Sequence, residues 1–218
     1  MSQNSVRKRA VAEEPTIVVV DDDKAFRDSL GDLFSSVGFE VKLFGSAAEL
    51  LESELLPDVA SCLVLDVRLP GLGGLDFQTE LLKVNASIPI IFMTGHGDIP
   101  MSVKAMKAGA VDFLTKPFRH QDMLDAVTVA LERDRTRRKA EQRLTDLKSR
   151  LERLSPRERE VLALVTTGLR NKQIAFKLDV AEITVKAHRG HVMQKMGAQS
   201  LAELVKIAET LGIQSTQS

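Results

Sequence analysis

The chain has 218 residues, enough for one large domain or two modest ones. Its 44% hydrophobic content is that of an ordinary globular protein, and no apolar run approaches the roughly 18 residues of a membrane span, which points to the cytoplasm rather than a membrane. Net charge is zero, but residues 15–135 carry 11 basic against 19 acidic side chains, residues 136–154 carry 7 against 3, and residues 155–218 carry 9 against 6. An acidic body followed by a basic half points to a polyanion as partner of the C-terminal part.

Residues 1–14 are polar, include Arg7-Lys8-Arg9 and read as a flexible tail, with no apolar segment behind them to act as a secretory signal. Cys62 is the only cysteine, which excludes an intramolecular disulfide and a cysteine metal cluster. It lies in the apolar run Cys62-Leu63-Val64-Leu65 and reads as a buried structural thiol. From Thr16 onward, short β-rich runs alternate with helical patterns. Strands are predicted at Thr16–Val20, Glu40–Phe44, Ser61–Leu65, Pro89–Met93 and Asp112–Thr115. Helices are predicted between them near Ala25–Val37, Ala47–Glu54, Leu75–Val84 and Met101–Ala108. Nearly all-apolar strands suit a parallel sheet covered on both faces, and five βα units imply a doubly wound sheet with right-handed crossovers. Such a sheet binds its ligands beyond the carboxyl ends of its strands.

A fifth helix begins near Gln121, and no Gly or Pro interrupts the chain before Leu154. Ala126 and Ala130, then Ala140, Leu144, Leu147, Leu151 and Leu154 recur four and three apart, with Arg133 and Arg137 occupying the same frame in the gap between, which fits either a short coiled-coil section or an exposed helix joining two domains. Ser155-Pro156-Arg157-Glu158 opens a new domain, with Ser155 as N-cap, Pro156 at the first helical position and Glu158 completing a capping box. Four helices follow at Pro156–Thr167, Asn171–Leu178, Glu182–Met196 and Ser200–Leu211. Gly168, Gly197 and Gly212 are read as terminators, and residues 213–218 as a tail. The implied boundaries are residues 15–125 for the first domain, 126–154 for the helical linker and 155–212 for the last domain.

Asp21 and Asp22 follow the first predicted strand, Asp66 the third, Thr94 the fourth and Lys116 the fifth. A parallel sheet gathers these distant positions at one edge. Crowded carboxylates repel and need a cation, and an all-oxygen donor set favours Mg²⁺. A carboxylate can attack phosphorus to give an aspartyl phosphate, while an ammonium and a hydroxyl stabilise the charge on the transferred group. Gly95 leaves the phosphate room to approach the backbone. Asp23 is either a helix N-cap or a residue at the metal's edge.

Val-Asp-Asp-Asp (20–23), Leu-Asp-Val-Arg-Leu-Pro-Gly (65–71), Met-Thr-Gly-His-Gly (93–97) and Thr-Lys-Pro-Phe (115–118) together resemble the receiver domains of two-component systems. The resemblance covers about residues 15–125 and implies a flavodoxin-like fold. It implies that Asp66 accepts a phosphoryl group from a sensor histidine kinase, and that Asp21, Asp22, Asp66 and the Arg68 backbone carbonyl hold Mg²⁺. It further implies a cis peptide at Lys116–Pro117 and a switch through Thr94 and Phe113. Many receivers carry Tyr at the latter position and this chain has no tyrosine, so packing alone must select the inward rotamer of Phe113. Arg68 and His96 flank the entrance for hydrolytic water and are expected to set the phosphate lifetime. A haloacid-dehalogenase-like phosphatase would need a second Asp at position 68, where Arg stands, so the chain is not expected to be an enzyme.

Ile174, Ala175 and Leu178, the turn Asp179-Val180-Ala181 and the helix from Glu182 have helix-turn-helix spacing. On that last helix Val185, Val192 and Met196 form a buried stripe, with Lys186, Ala187, Gly190, His191 and Gln194 opposite. The segment is similar to the four-helix DNA-binding domain of the LuxR/NarL/FixJ family, and the whole chain to FixJ- and StyR-type regulators. The resemblance implies double-stranded DNA and RNA polymerase as partners and a homodimer on phosphorylation. Lys186, Ala187, Gly190 and Gln194 are then placed near bases, with Asn171, Lys172, Thr184, Arg189 and Lys195 at phosphates. Gly190 stands where some relatives carry a basic reader, and Ala181 where a capping Ser is frequent, which removes about 1 kcal/mol of helix stabilisation. His188 and His191 lie three apart, but no Asp, Glu or Cys partner is evident for a metal.

Overall fold

The computed structural model describes residues 15–53, 61–83, 87–95 and 99–213. Each sheet strand is apolar because it is buried twice over. In β1 (Thr16–Val20), Ile17 and Val19 join one core and Val18 and Val20 the other. β3 (Ser61–Asp66) divides in the same way, with Cys62 and Val64 on one face and Leu63 and Leu65 on the opposite one. Side chains of a strand alternate between its faces, so a sheet covered on both sides shows no polar alternation in sequence. With β2 (Glu40–Phe44), β4 (Ile90–Thr94) and β5 (Asp112–Thr115), the sheet is all-parallel in the order β2-β1-β3-β4-β5. That is the flavodoxin-like order, whose switch point lies between β1 and β3.

β3 and β4 each run one residue beyond the sequence expectation, so Asp66 and Thr94 close their strands instead of following them. The ladder is what carries them on. Val67 N–H reaches Met93 O at 2.9 Å, and Lys116 N–H reaches Thr94 O at 2.7 Å. Leu30 and Phe34 of α1 (Lys24–Ser36) cover one face together with Met123, Val127 and Leu131 of α5 (His120–Glu152). The other face is covered from α2 (Ala47–Glu52), α3 (Gly74–Lys83) and α4 (Ile99–Lys107), through Leu50, Phe77 and Ala105 among others. α4 starts two residues before its expected position, taking Pro100 into a first turn where proline is tolerated. Residues 54 and 84, at the expected ends of two helices, and residues 1–14 lie outside the described part.

The chain divides into two compact units that part between Arg138 and Lys139, inside α5. The apolar stripe of α5 divides with them. Ala126 and Ala130 pack on the sheet, whereas Leu147, Leu151 and Leu154 pack into the core of the second unit. That core is built with α6 (Pro156–Thr166), α7 (Asn171–Leu178), α8 (Glu182–Met196) and α9 (Leu201–Thr210). Ile213, expected in the tail, packs against the same core and donates its N–H to Ala208 O. Residues 214–218 lie outside the described part.

Between the stripe's two halves stands Asp134, fully buried. Its Oδ2 accepts the Ser61 N–H at 3.0 Å, at the start of β3, and its carboxylate pairs with Arg137 and Arg138. Asp134→Ala removes the acceptor of a buried backbone donor. Urea denaturation followed by circular dichroism is expected to show a loss of about 1–3 kcal/mol, and an unchanged midpoint would exclude an anchoring role.

Candidate functional site

The register of the sheet brings the acidic positions together. Val20 pairs with Leu65 across β1 and β3, so Asp21 and Asp66 end neighbouring strands. Carboxylate oxygens of Asp21, Asp22 and Asp66 all lie within 4.8 Å of one another. Asp21 and Asp66 are buried and Asp22 is exposed. Lys116, after β5, bridges the two buried ones, with Nζ 2.5 Å from Asp21 Oδ2 and 2.7 Å from Asp66 Oδ2. Burial pushes the Asp21 carboxyl above the usual carboxylate range, against the pull of Lys116. Burial works against the Lys116 ammonium too, but its hydrogen bonds to Asp21 and Asp66 outweigh that and hold its pKa above an ordinary lysine's. The ammonium form of Lys116 is therefore favoured. All-oxygen donors with no nitrogen or sulfur among them suit a hard cation.

Asp23 is the N-cap of α1, its Oδ1 accepting the N–H groups of Ala25 and Phe26 at 3.0 and 3.1 Å. Thr94 is fully buried at the end of β4. Phe113, half-buried, packs beside Phe92 with ring centroids 6.5 Å apart. The Lys116–Pro117 peptide is cis, as the resemblance implies. Gly95 has no atoms within 4 Å of where a Cβ would stand. The exposed Arg68 donates its backbone N–H to Asp66 Oδ1 at 2.9 Å, and His96 lies outside the described residues.

Three contributors escape sequence reasoning. The Phe26 ring lies under the Lys116 ammonium, 4.1 Å from Nζ to centroid, and meets Phe118 edge-on. Arg27 donates from its guanidinium to the Asp21 carbonyl. Gly74 opens α3 so close to β3 that a Cβ there would stand 2.5 Å from the Asp66 carbonyl oxygen. None has a sequence signal, because each depends on a helix packing against a particular strand end.

In the second unit the capping box forms as expected: Ser155 N–H donates to Glu158 Oε2 at 2.8 Å and Glu158 N–H to Ser155 Oγ. α7 ends on Asp179, whose φ of 51° gives the left-handed residue of a sharp turn into α8. Ala181 begins α8 without a side-chain cap. Val185, Val192 and Met196 are buried, while Lys186, Ala187, Gly190, His191 and Gln194 are exposed, as the helical wheel predicts. Lys172 is exposed at the start of α7, and Thr184 is half-buried. Arg189 donates to Asn171 Oδ1 at 3.1 Å. Lys195 reaches inward instead, its ammonium 2.7 Å from Glu158 Oε2. Through Arg150 Nη1, the end of α5 caps the Met196 carbonyl at the negative end of α8.

These two assemblies have known counterparts. The family model of the response regulator receiver domain matches residues 17–128, and that of the bacterial regulatory proteins of the luxR family matches residues 152–208. Nodulation protein W of Bradyrhizobium diazoefficiens is 63% identical over 202 residues, covering 93% of this chain and 88% of its own. The transcriptional regulatory protein FixJ of the same organism is 43% identical over 198 residues, covering 90% of this chain and 96% of its own. The solved structure of the response regulator StyR is 47% identical and covers 90% of this chain and 98% of its own, with a TM-score of 0.82. The chain belongs to the response regulators that join a receiver domain to a LuxR-type DNA-binding domain. Its relatives are transcriptional regulators of two-component systems, and the domain pair implies a histidine kinase and DNA as partners. Among the described residues no helix is long and apolar enough to cross a membrane.

The Lys195 ammonium, with the Ser155 N–H, holds the buried Glu158 carboxyl below the usual carboxylate range. A depressed carboxylate stabilises the fold above its unfolded pKa, and that contribution is lost as pH falls through the folded one. The stability gap between wild type and Glu158→Gln is therefore expected to be full at neutral pH and to narrow below about pH 4.3. Denaturant titrations across that range test it, and a gap independent of pH would contradict the pairing.

Proposed function

We propose that Asp66 is the phosphoacceptor of this response regulator. The observation that carries the proposal is the Lys116 ammonium held between Asp21 and Asp66 at a shared strand edge. An Asp66 carboxylate oxygen attacks the phosphorus of a phosphohistidine on the sensor kinase. A P–O bond forms, the P–N bond breaks and the imidazole leaves. Lys116 and Thr94 then meet the new phosphoryl oxygens with an ammonium and a hydroxyl. Asp21, Asp22, Asp66 and the Arg68 backbone carbonyl would hold Mg²⁺, which supplies charge neutralisation for the transferred group.

Phosphorylation shifts a two-state equilibrium in which Thr94 and Phe113 move together. The surface around α4 and β5 then pairs two copies into a homodimer. Two copies of α8 read double-stranded DNA, with Lys186, Ala187, Gly190 and Gln194 near bases. Asn171, Lys172, Thr184 and Arg189 contact phosphates, and Lys195 joins them when it leaves Glu158. RNA polymerase is the partner at the promoter, and the protein works in the cytoplasm. The division into a tail (1–14), receiver (15–125), helical linker (126–154) and DNA-binding domain (155–212) belongs to the same reading, with Ile213, first residue of the expected 213–218 tail, packed on that domain instead.

Incubation with acetyl phosphate is expected to label the wild-type chain only when Mg²⁺ is present and to leave Asp66→Asn unlabelled. Label on Asp66→Asn, or dimerisation and DNA binding in that variant equal to the phosphorylated wild type, would overturn the assignment. Separately, Lys172→Ala is expected to weaken DNA binding evenly across sequences and to lower the slope of log K against log salt by about 1. Lys186→Ala should instead weaken it unevenly, relaxing discrimination at one base position. Affinities measured over a salt series on two operator variants separate the two.

A further inference from the structure

Three ligand-bearing side chains that are far apart in sequence meet on one flank of the second unit. Glu158 comes from the first turn of α6, and His188 and His191 stand three apart on α8. One carboxylate oxygen and one nitrogen from each imidazole lie within 4.8 Å of one another. Sequence reasoning found the histidine pair but no third partner, and the packing of α6 on α8 supplies it.

Glu158 divides its two oxygens between different neighbours. Oε2 accepts the Ser155 N–H and the Lys195 ammonium, at 2.8 and 2.7 Å. Oε1 faces His191 Nδ1 at 3.7 Å, beyond hydrogen-bond reach. His188 Nδ1 is buried and has no hydrogen-bond partner among the described residues. A buried polar nitrogen left without a partner carries a desolvation penalty, so this imidazole is not satisfied by its surroundings.

We propose that Glu158, His188 and His191 bind a divalent transition-metal ion, Zn²⁺ being the best match to two imidazoles and a carboxylate. Zn²⁺ takes such three-ligand sets with a water or an exogenous oxygen in the fourth place, while Mg²⁺ takes oxygen donors. The i, i+3 spacing puts both imidazoles on one side of α8. Tetrahedral coordination would draw His191 Nδ1 and Glu158 Oε1 closer than their present 3.7 Å, which the exposed His191 side chain can accommodate. Lys195 competes with the ion for the same carboxylate, and its partly exposed side chain lets the ammonium swing away to solvent. The ion ties α6 to α8 and so stabilises the domain by mass action.

The test uses the full-length, metal-stripped protein in saturating Mg²⁺, which occupies the acidic cluster of the receiver. Zn²⁺ is titrated in competition with a chromophoric chelator. One Zn²⁺ per chain is expected, bound about tenfold or more weakly by His191→Ala and by Glu158→Gln, whose glutamine keeps the capping box. Lys195→Met, which removes the competing ammonium, is expected to bind several-fold more tightly. Co²⁺ in place of Zn²⁺ should give the visible spectrum of a tetrahedral site in the wild type and not in His191→Ala. No uptake by the wild type, affinities unchanged in His191→Ala and Glu158→Gln, or no gain in Lys195→Met would each overturn the site.

Discussion

Lys116 is the counter-charge that holds the two buried carboxylates of the receiver's strand edge together. Three carboxylates within 4.8 Å of one another repel, and a cation among them relieves that repulsion. The fold supplies one from two strands away. β5 lies two strand spacings from β3, roughly 9–10 Å, so only a long, flexible side chain at its end can reach Asp66 and Asp21 together. Phe26 fixes the direction of approach from below, and Arg27 ties down the backbone from which Asp21 projects. A phosphoryl group on Asp66 would compete with Asp21 for the same ammonium. The lysine is thus already placed to register the change in charge.

How far the fold could be read from the sequence follows from how each feature is encoded. The strands were readable because burial on both faces makes runs such as Ile17–Val20 continuously apolar. The positions of Asp21, Asp22, Asp66, Thr94 and Lys116 were readable because a parallel sheet brings equivalent strand ends to one edge. Strand length was harder, since the last rung of β3 is a hydrogen bond to Met93, a residue of another strand. The leucines of α5 show the same limit. Their spacing announced a buried stripe, but it could not tell a second helix from the core of the following domain, which is what covers Leu147 and Leu154.

In the second unit the legible part is local and the hidden part is again tertiary. Ser155, Pro156 and Glu158 signal a helix start through contacts three residues apart, and the capping box forms as read. That the same Glu158 carboxylate also takes the ammonium of Lys195 depends on α6 packing against α8. A lysine on a helix read as facing DNA therefore points at its own domain. Arg189 is engaged differently, through Asn171, so of these two cations expected at phosphates only Arg189 is held beside another residue expected there, while Lys195 would first have to leave Glu158. Pre-positioning of this kind lowers the entropy lost when a side chain is fixed at an interface.

Asp134 fixes where α5 can sit on the sheet. The Ser61 N–H opens the strand that ends at Asp66, and it is met by one carboxylate on α5. Were the helix to slip by about a turn in either direction, that donor would face Ala130 or Leu131, or Arg137 or Arg138, none of which has a side-chain acceptor. A rotation by one residue would carry the carboxylate roughly 100° away. The helix thus has a single azimuth and a single axial setting against β3, like a key cut for one slot. Strand and helix in the first unit must then move as one piece, or the carboxylate must first let go.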